Sequence, residues 1–294
     1  MTDDTATNRN RDRFMVLTAA VLFSTGGAAV KACALDGWQV ASLRSGIAAI
    51  AILALVPGAR RRWTAPIWLV GTAYAATMIL YVMANKLTTA ANAIFLQSTA
   101  PLYVLLLGPW LLAERTSRRQ LATMVVLAVG MSLFFVGGQQ ASDIATDPLV
   151  GNLLGGASGL SWALCIMGLR WLGRREVGVG ATSAAVGCGN AIACVAALPF
   201  AWPIDGARPT DWAIVIFLGL CQIGLAYAFL VRGVRRVPAF EVSLLLLAEP
   251  VLNPLWAWLV HGEITTVWAM VGGAIILIAT TVMALSRPNP DIGS

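Results

Sequence analysis

The sequence predicts an all-α integral membrane protein, with ten transmembrane helices arranged as two inverted five-helix repeats around a central cavity. Three observations carry that reading. Of 294 residues, 58% are hydrophobic and only 12% charged, about half the charge of a soluble domain, and the mean hydropathy is +0.77. The apolar residues gather into ten runs of spanning length, which at about 1.5 Å per residue cross a hydrocarbon core of about 30 Å. The basic residues gather into the short loops between alternate runs.

In chain order, the first run (14–34) follows the polar stretch MTDDTATNRNRDR, with no small-residue cleavage site after it. It reads as a retained helix and not a signal peptide. Its LFSTGGA (Leu22–Ala28) sets Ser24 and Thr25 at mid-depth. Asp36-Gly37 breaks the chain before the second run (38–56), which carries Arg44 and stops at Pro57-Gly58. The third (66–86) holds Tyr74 and Met78, with Tyr81 nearer its outer end. The fourth (89–113) holds Gln97, Ser98 and Thr99, then Pro101; the fifth is 120–137. Asp147-Pro148 precedes the sixth (149–172), where Gly151, Gly155 and Gly159 are spaced for close helix approach, and Ser158, Ser161 and Trp162 lie at mid-depth. The seventh (179–200) ends before Trp202-Pro203, and the eighth (211–231) carries Gln222 and Tyr227. The ninth (239–261) has Glu249 near its centre and Asn253 one turn on, on the same face. Pro250 and Pro254 deny that helix its full set of i→i−4 bonds. The tenth (266–286) stops at Arg287-Pro288. Trp38, Trp63, Trp68, Trp110, Trp202, Trp212 and Trp268 fall near run ends, as interfacial anchors do.

Orientation follows from charge. With the N-terminus in the cytoplasm, the inside receives Arg9, Arg11, Arg13, Arg60, Arg61, Arg62, Arg115, Arg118, Arg119, Arg170, Arg174, Arg175, Arg232, Arg235, Arg236 and Arg287. The outside receives Lys31, Lys86 and Arg208, and Arg44 stays within a helix. Both termini are then cytoplasmic, which an even helix count requires. The +6 charge belongs to these loops, so no nucleic-acid partner is implied. Cys33, Cys165, Cys188, Cys194 and Cys221 contain no C-x-x-C pair and read as packing residues, with neither a disulfide framework nor a metal site. No G-x-x-x-x-G-K-[ST] loop and no H-E-x-x-H occurs, and His261 is the sole histidine. ATP-driven pumping, a cofactor and intramembrane enzymology find no residues to carry them.

The halves resemble each other. The fourth and ninth runs each hold a central proline and a glutamate thirteen residues later, Pro101 with Glu114 and Pro250 with Glu263. Ser24 in LFSTGGA and Ser161 in LSWALC occupy similar places. Five helices per half is odd, so the halves cross the membrane in opposite senses, as in secondary transporters. The organisation is a cytoplasmic tail (1–13), a first repeat (14–137), a second, inverted repeat (149–286) and a cytoplasmic tail (287–294). On these motifs the chain resembles the drug/metabolite transporter superfamily, within it the EamA-type bacterial exporters, and among them the aromatic amino acid exporters of the YddG type. The resemblance implies residence in the bacterial cytoplasmic membrane and export of amino acids and related metabolites by alternating access, without a partner protein; the alternatives are a multidrug or other metabolite exporter of the same superfamily and, from a different class, an integral membrane enzyme.

Glu249 has two readings. It is a substrate-ammonium or proton-coupling group, or a structural carboxylate paired with Arg44, about 4 Å from it in depth. The mid-depth residues Ser24, Thr25, Tyr74, Met78, Gln97, Ser161, Trp162, Gln222, Tyr227, Glu249 and Asn253 form a candidate substrate lining; singly, such groups also serve as interhelical hydrogen-bonding glue. Pro101, Pro250 and Pro254 are candidate hinges. Glu241, just beyond Arg232, Arg235 and Arg236, reads as a surface ion-pair partner.

Overall fold

The computed structural model describes residues 2–111, 117–133, 145–175, 180–234, 236–246, 248–262 and 266–285. Glu114, Glu263 and the tail at 287–294 lie outside them. The described chain is helical throughout: α1 (Thr2–Ser24), α2 (Gly26–Ala32), α3 (Gly37–Leu55), α4 (Ala65–Leu87), α5 (Ala90–Gln97), α6 (Ala100–Leu111), α7 (Arg118–Ser132), α8 (Pro148–Arg175), α9 (Gly180–Ala201), α10 (Pro209–Phe217), a π-helical segment (Leu218–Leu225), α11 (Ala226–Gly233), α12 (Ala239–Leu245), α13 (Ala248–His261) and α14 (Val267–Leu285). Helix α1 begins well before the first apolar residue and takes in most of the stretch expected as a tail.

Eight helical stretches among the described residues are long and apolar enough to cross a membrane; Asn10–Ala32, Ala90–Leu111, Pro209–Gly233 and Ala239–His261 each join more than one of these elements. Two shorter apolar stretches, Leu121–Gly130 and Met270–Ala279, stand where the sequence places its fifth and tenth runs. The boundaries have local causes. Asp36 caps α3: its side chain accepts from the Gln39 amide at 2.9 Å, and the Gln39 side chain accepts from the Asp36 amide at 3.2 Å. Thr89 caps α5 by accepting from the Asn92 amide at 3.1 Å. Gly262, at φ +64°, ends α13 in the left-handed conformation that favours glycine, its amide bonded to the Trp258 carbonyl at 2.9 Å.

Large apolar side chains cover much of the outer surface, among them Ile50, Leu69, Val195 and Val267. With every such segment helical, its backbone polar groups are satisfied internally and this surface suits lipid. Trp68, Trp110, Trp202, Trp212 and Trp268 are exposed close to helix ends, a girdle at headgroup level. Inside, α4 packs on α8, α3 on α9, α1 on α11, and α7 on α14, while α5 meets α8 and α13 meets α1. The small-residue face of α8 makes one of these contacts close: a Cβ at Gly151 would meet the Thr88 amide nitrogen at 2.7 Å, and one at Gly155 the Leu96 Cβ at 3.1 Å.

Candidate functional site

The site is assembled where helices break. Between α1 and α2 the Ser24 hydroxyl returns to the Val21 carbonyl at 2.6 Å and the Thr25 hydroxyl to the Leu22 carbonyl at 2.8 Å, local bonds that compete with the helical ladder. Between α5 and α6, Ser98 and Thr99 do the same, bonding the carbonyls of Ile94 at 2.6 Å and Leu96 at 2.7 Å. Pro101 follows, three residues beyond Ser98, and has no N–H to continue the ladder. The break between α12 and α13 stands in the same relation to Pro250. There the Leu246 carbonyl, which Pro250 cannot serve, accepts from the Glu249 amide at 3.0 Å instead. Glu249 is thus in the first turn of α13, at the positive end of a helix dipole that favours a carboxylate. The π-helical segment places Gln222 within the Pro209–Gly233 stretch.

These breaks surround a central cavity. Of the residues singled out from the sequence, Met78, Gln97, Trp162, Gln222, Tyr227 and Glu249 line it, together with Arg44. Phe23, Thr77, Tyr81 and Ile223 complete the lining; being apolar or small members of apolar helices, Phe23, Thr77 and Ile223 carry no signal in the sequence. Gln97, Trp162 and Glu249 also line a small adjoining cavity beside Ser98, Pro101 and Ser243. A third lies toward the arginine-rich end between Val56, Ser183 and Arg232, with Tyr227 between it and the centre.

The walls are aromatic and come from both halves. Phe23 packs edge-on against Tyr227 with centroids 5.0 Å apart and against Trp162 at 6.2 Å; Tyr74 backs Tyr227 at 4.8 Å. Gln97 donates to the Ser158 hydroxyl at 2.7 Å. Arg44 is fully buried. Its Nη2 donates to the Met78 carbonyl at 3.0 Å, while Nε and Nη1 have no partner. The direct Arg44–Glu249 ion pair that depth arithmetic allows is not formed. Both line the cavity, yet Glu249 takes no hydrogen bond or ion pair from a side chain among the described residues.

The remaining candidates sit behind the lining. Tyr74 is fully buried and accepts from Asn190 Nδ2 at 2.8 Å. Asn253 is fully buried and donates to the Tyr81 hydroxyl at 3.2 Å. Ser24 accepts from the Trp256 indole at 3.1 Å. Thr25 is held by its own helix, and Ser161 is half-buried on α8 away from the cavities described. Pro254 lies inside α13 and Pro101 and Pro250 next to breaks.

Both ends of the cavity are tied. At the arginine-rich end Glu241 pairs with Arg13 of α1 at 2.5 Å, and Arg236 with Asp12 at 3.5 Å. Glu241 therefore reaches another helix and not only the neighbouring arginines the sequence offers it. At the opposite end Lys31 donates to the Thr88 carbonyl and Lys86 to the Cys33 carbonyl, each at 2.7 Å. The His261 ring is bonded to the Ala28 carbonyl at 2.8 Å, so this histidine joins α13 to α2 and is more than a surface group.

Comparison with known proteins bears on what such a site serves. Residues 13–136 and 149–285 match the EamA-like transporter family. The pseudopaline exporter CntI of Pseudomonas aeruginosa is 26% identical over 281 residues, 93% of this chain and 95% of that protein. An uncharacterized transporter of Archaeoglobus fulgidus is 26% identical over 201 residues, 68% of this chain and 69% of the other. A solved crystal structure shares the fold, with a TM-score of 0.68 over 93% of this chain and 96% of that one at 21% identity. These relatives carry the resemblance to family and to small-molecule export, not to the aromatic amino acid exporters in particular.

Proposed function

Because this chain belongs to the EamA-like transporter family, and is on that ground a membrane transporter and not an enzyme, we propose that it exports amino acids and related small metabolites across the bacterial cytoplasmic membrane by alternating access. The observation that carries the reading is the mid-depth cavity with Arg44, Glu249, Gln97 and Gln222 among aromatic walls. Ligand sites have this composition: mostly apolar, with a few placed polar groups. An aromatic wall suits the side chain of an amino acid, and the polar groups suit its backbone ends.

In this reading ten helices form two inverted five-helix repeats, with both termini cytoplasmic and the substrate held between the halves. The broken helices give each half a place to bend, at Ser98–Pro101 in one and next to Pro250 in the other. Rocking of one half against the other exposes the cavity first to one side and then to the other. The exporter of pseudopaline among the relatives favours a second reading, export of another small metabolite.

The test is uptake of labelled threonine, methionine and phenylalanine into liposomes carrying the purified protein, with and without a pH gradient. Saturable uptake of at least one, accelerated by the same amino acid inside, is the expected result. A folded, inserted protein that carries none of the three overturns the substrate class.

A further inference from the structure

Resting on that transport reading, we propose that the central cavity recognises a zwitterion, Arg44 taking the carboxylate of the substrate and Glu249 its ammonium. The two side chains line one cavity and form no ion pair with each other. Arg44 is wholly buried on α3, with one donor on the Met78 carbonyl and two, Nε and Nη1, unpartnered. The ionisable groups around it are Tyr74, Tyr81 and Tyr227, none of them a carboxylate. A buried guanidinium without its anion is a costly arrangement, and its fork of donors matches a carboxylate in two-point geometry.

Glu249 faces the same space from the first turn of α13, 6% exposed, and no side chain among the described residues donates to it. A ligand bearing both charges satisfies both groups at once. One bearing a single charge enters a water-poor site and leaves the other protein charge uncompensated, a loss a polar site turns into selectivity. Gln222, whose Oε1 is also unpaired, supplies a further acceptor on the cavity wall. Phe23, Trp162 and Tyr227 are left to enclose the side chain, so recognition falls on the dipolar part of the molecule while the rest varies.

The experiment is competition in proteoliposomes. Whichever of threonine, methionine and phenylalanine is carried serves as labelled substrate. Its methyl ester keeps the ammonium alone, and its deaminated acid keeps the carboxylate alone. On the wild-type protein both analogues are expected to inhibit about 10- to 100-fold more weakly than the unlabelled amino acid, the worth of a hydrogen bond to a charged group. Arg44→Lys is expected to narrow the gap to the ester, and Glu249→Gln the gap to the deaminated acid, each leaving the other gap in place. A merely structural role would weaken all three ligands together. Wild-type protein that takes ester or acid as well as the parent overturns the zwitterion proposal while transport itself stands. Carriage of none of the three amino acids overturns both. The wild-type competition decides the matter even where a variant does not fold.

Discussion

Asn253 is held on two sides by groups far away in sequence. Its Nδ2 donates to the Tyr81 hydroxyl, and it packs on Gly27, where a Cβ would stand 2.4 Å from Oδ1 and 2.7 Å from Nδ2. Gly27→Ala must therefore displace Asn253 and release Tyr81, which lines the cavity. Overpacking of this kind costs about 1–3 kcal/mol, read as a lower melting temperature in detergent together with weaker half-saturation of uptake. Asn253→Ala in the same chain should remove most of that added cost, since the two act at one contact. Additive losses would refute the contact. Tyr74 is fixed likewise: a Cβ at Gly189 would lie 2.6 Å from its ring, and Asn190 occupies its hydroxyl. Residues such as Asn253 and Tyr74 show how far the sequence reaches. It yields depth in the membrane, because depth is position along a helix. It does not yield rotation about the helix axis, so it cannot separate Glu249, which faces the cavity, from Asn253 one turn on, whose donor goes to another helix. Asn190 carried no signal at all, since its worth lies in a partner 116 positions away.

At the scale of the element, the breaks beside Pro101 and Pro250 were legible because a missing N–H is a property of the residue itself. The π-helical segment LGLCQIGL was not, for it holds no proline and its register is set by packing against α3 and α1. The face of α8 was legible as a pattern, and the structure says what it meets. A Cβ at Gly159 would lie 2.9 Å from the Leu96 carbonyl oxygen, 3.1 Å from that of Gln97 and 2.8 Å from the Thr99 hydroxyl. Those are the groups of the α5–α6 break, and Gln97 is in the cavity wall. Gly156, off that face, has nothing within 4 Å of its would-be Cβ. Gly159→Ala should thus destabilise by about 1–3 kcal/mol and depress transport. Gly156→Ala should be neutral or stabilise by up to about 1 kcal/mol, the helix preference for alanine over glycine. Melting curves of the two variants side by side check this; equal effects would mean that α8 does not bear on the break.

For the whole molecule, exchanging the halves maps the packing onto itself. α4 on α8 becomes α11 on α1, α6 on α8 becomes α13 on α1, and α3 on α9 and α7 on α14 map onto themselves. Charge breaks that symmetry. Lys31 and Lys86 are bonded to backbone carbonyls and Arg208 to Asp211 at 3.0 Å, so the basic residues of the lysine-bearing end are tied into its loops. Among the described residues, the arginine-rich end is bridged instead by ion pairs from α1 to the chain around the start of α12, Arg13–Glu241 and Asp12–Arg236. Arg236 is 66% exposed and Arg13 37%, and pairs this exposed each contribute about 0–1 kcal/mol. That is negligible for folding, but under the proposed alternating access it acts directly on the balance between states open at one end or the other, where about 1.4 kcal/mol shifts the ratio tenfold. Ser183 lines the cavity at this end and is buried. With the five native cysteines replaced, Ser183→Cys should react with a membrane-impermeant thiol reagent supplied from the arginine-rich side. Adding Arg13→Ala and Arg236→Ala should speed that reaction by up to about tenfold, and raised salt should speed the parent by a smaller factor, since salt screens the pairs. A rate unchanged by both would make the pairs decoration on a mouth that something else keeps shut.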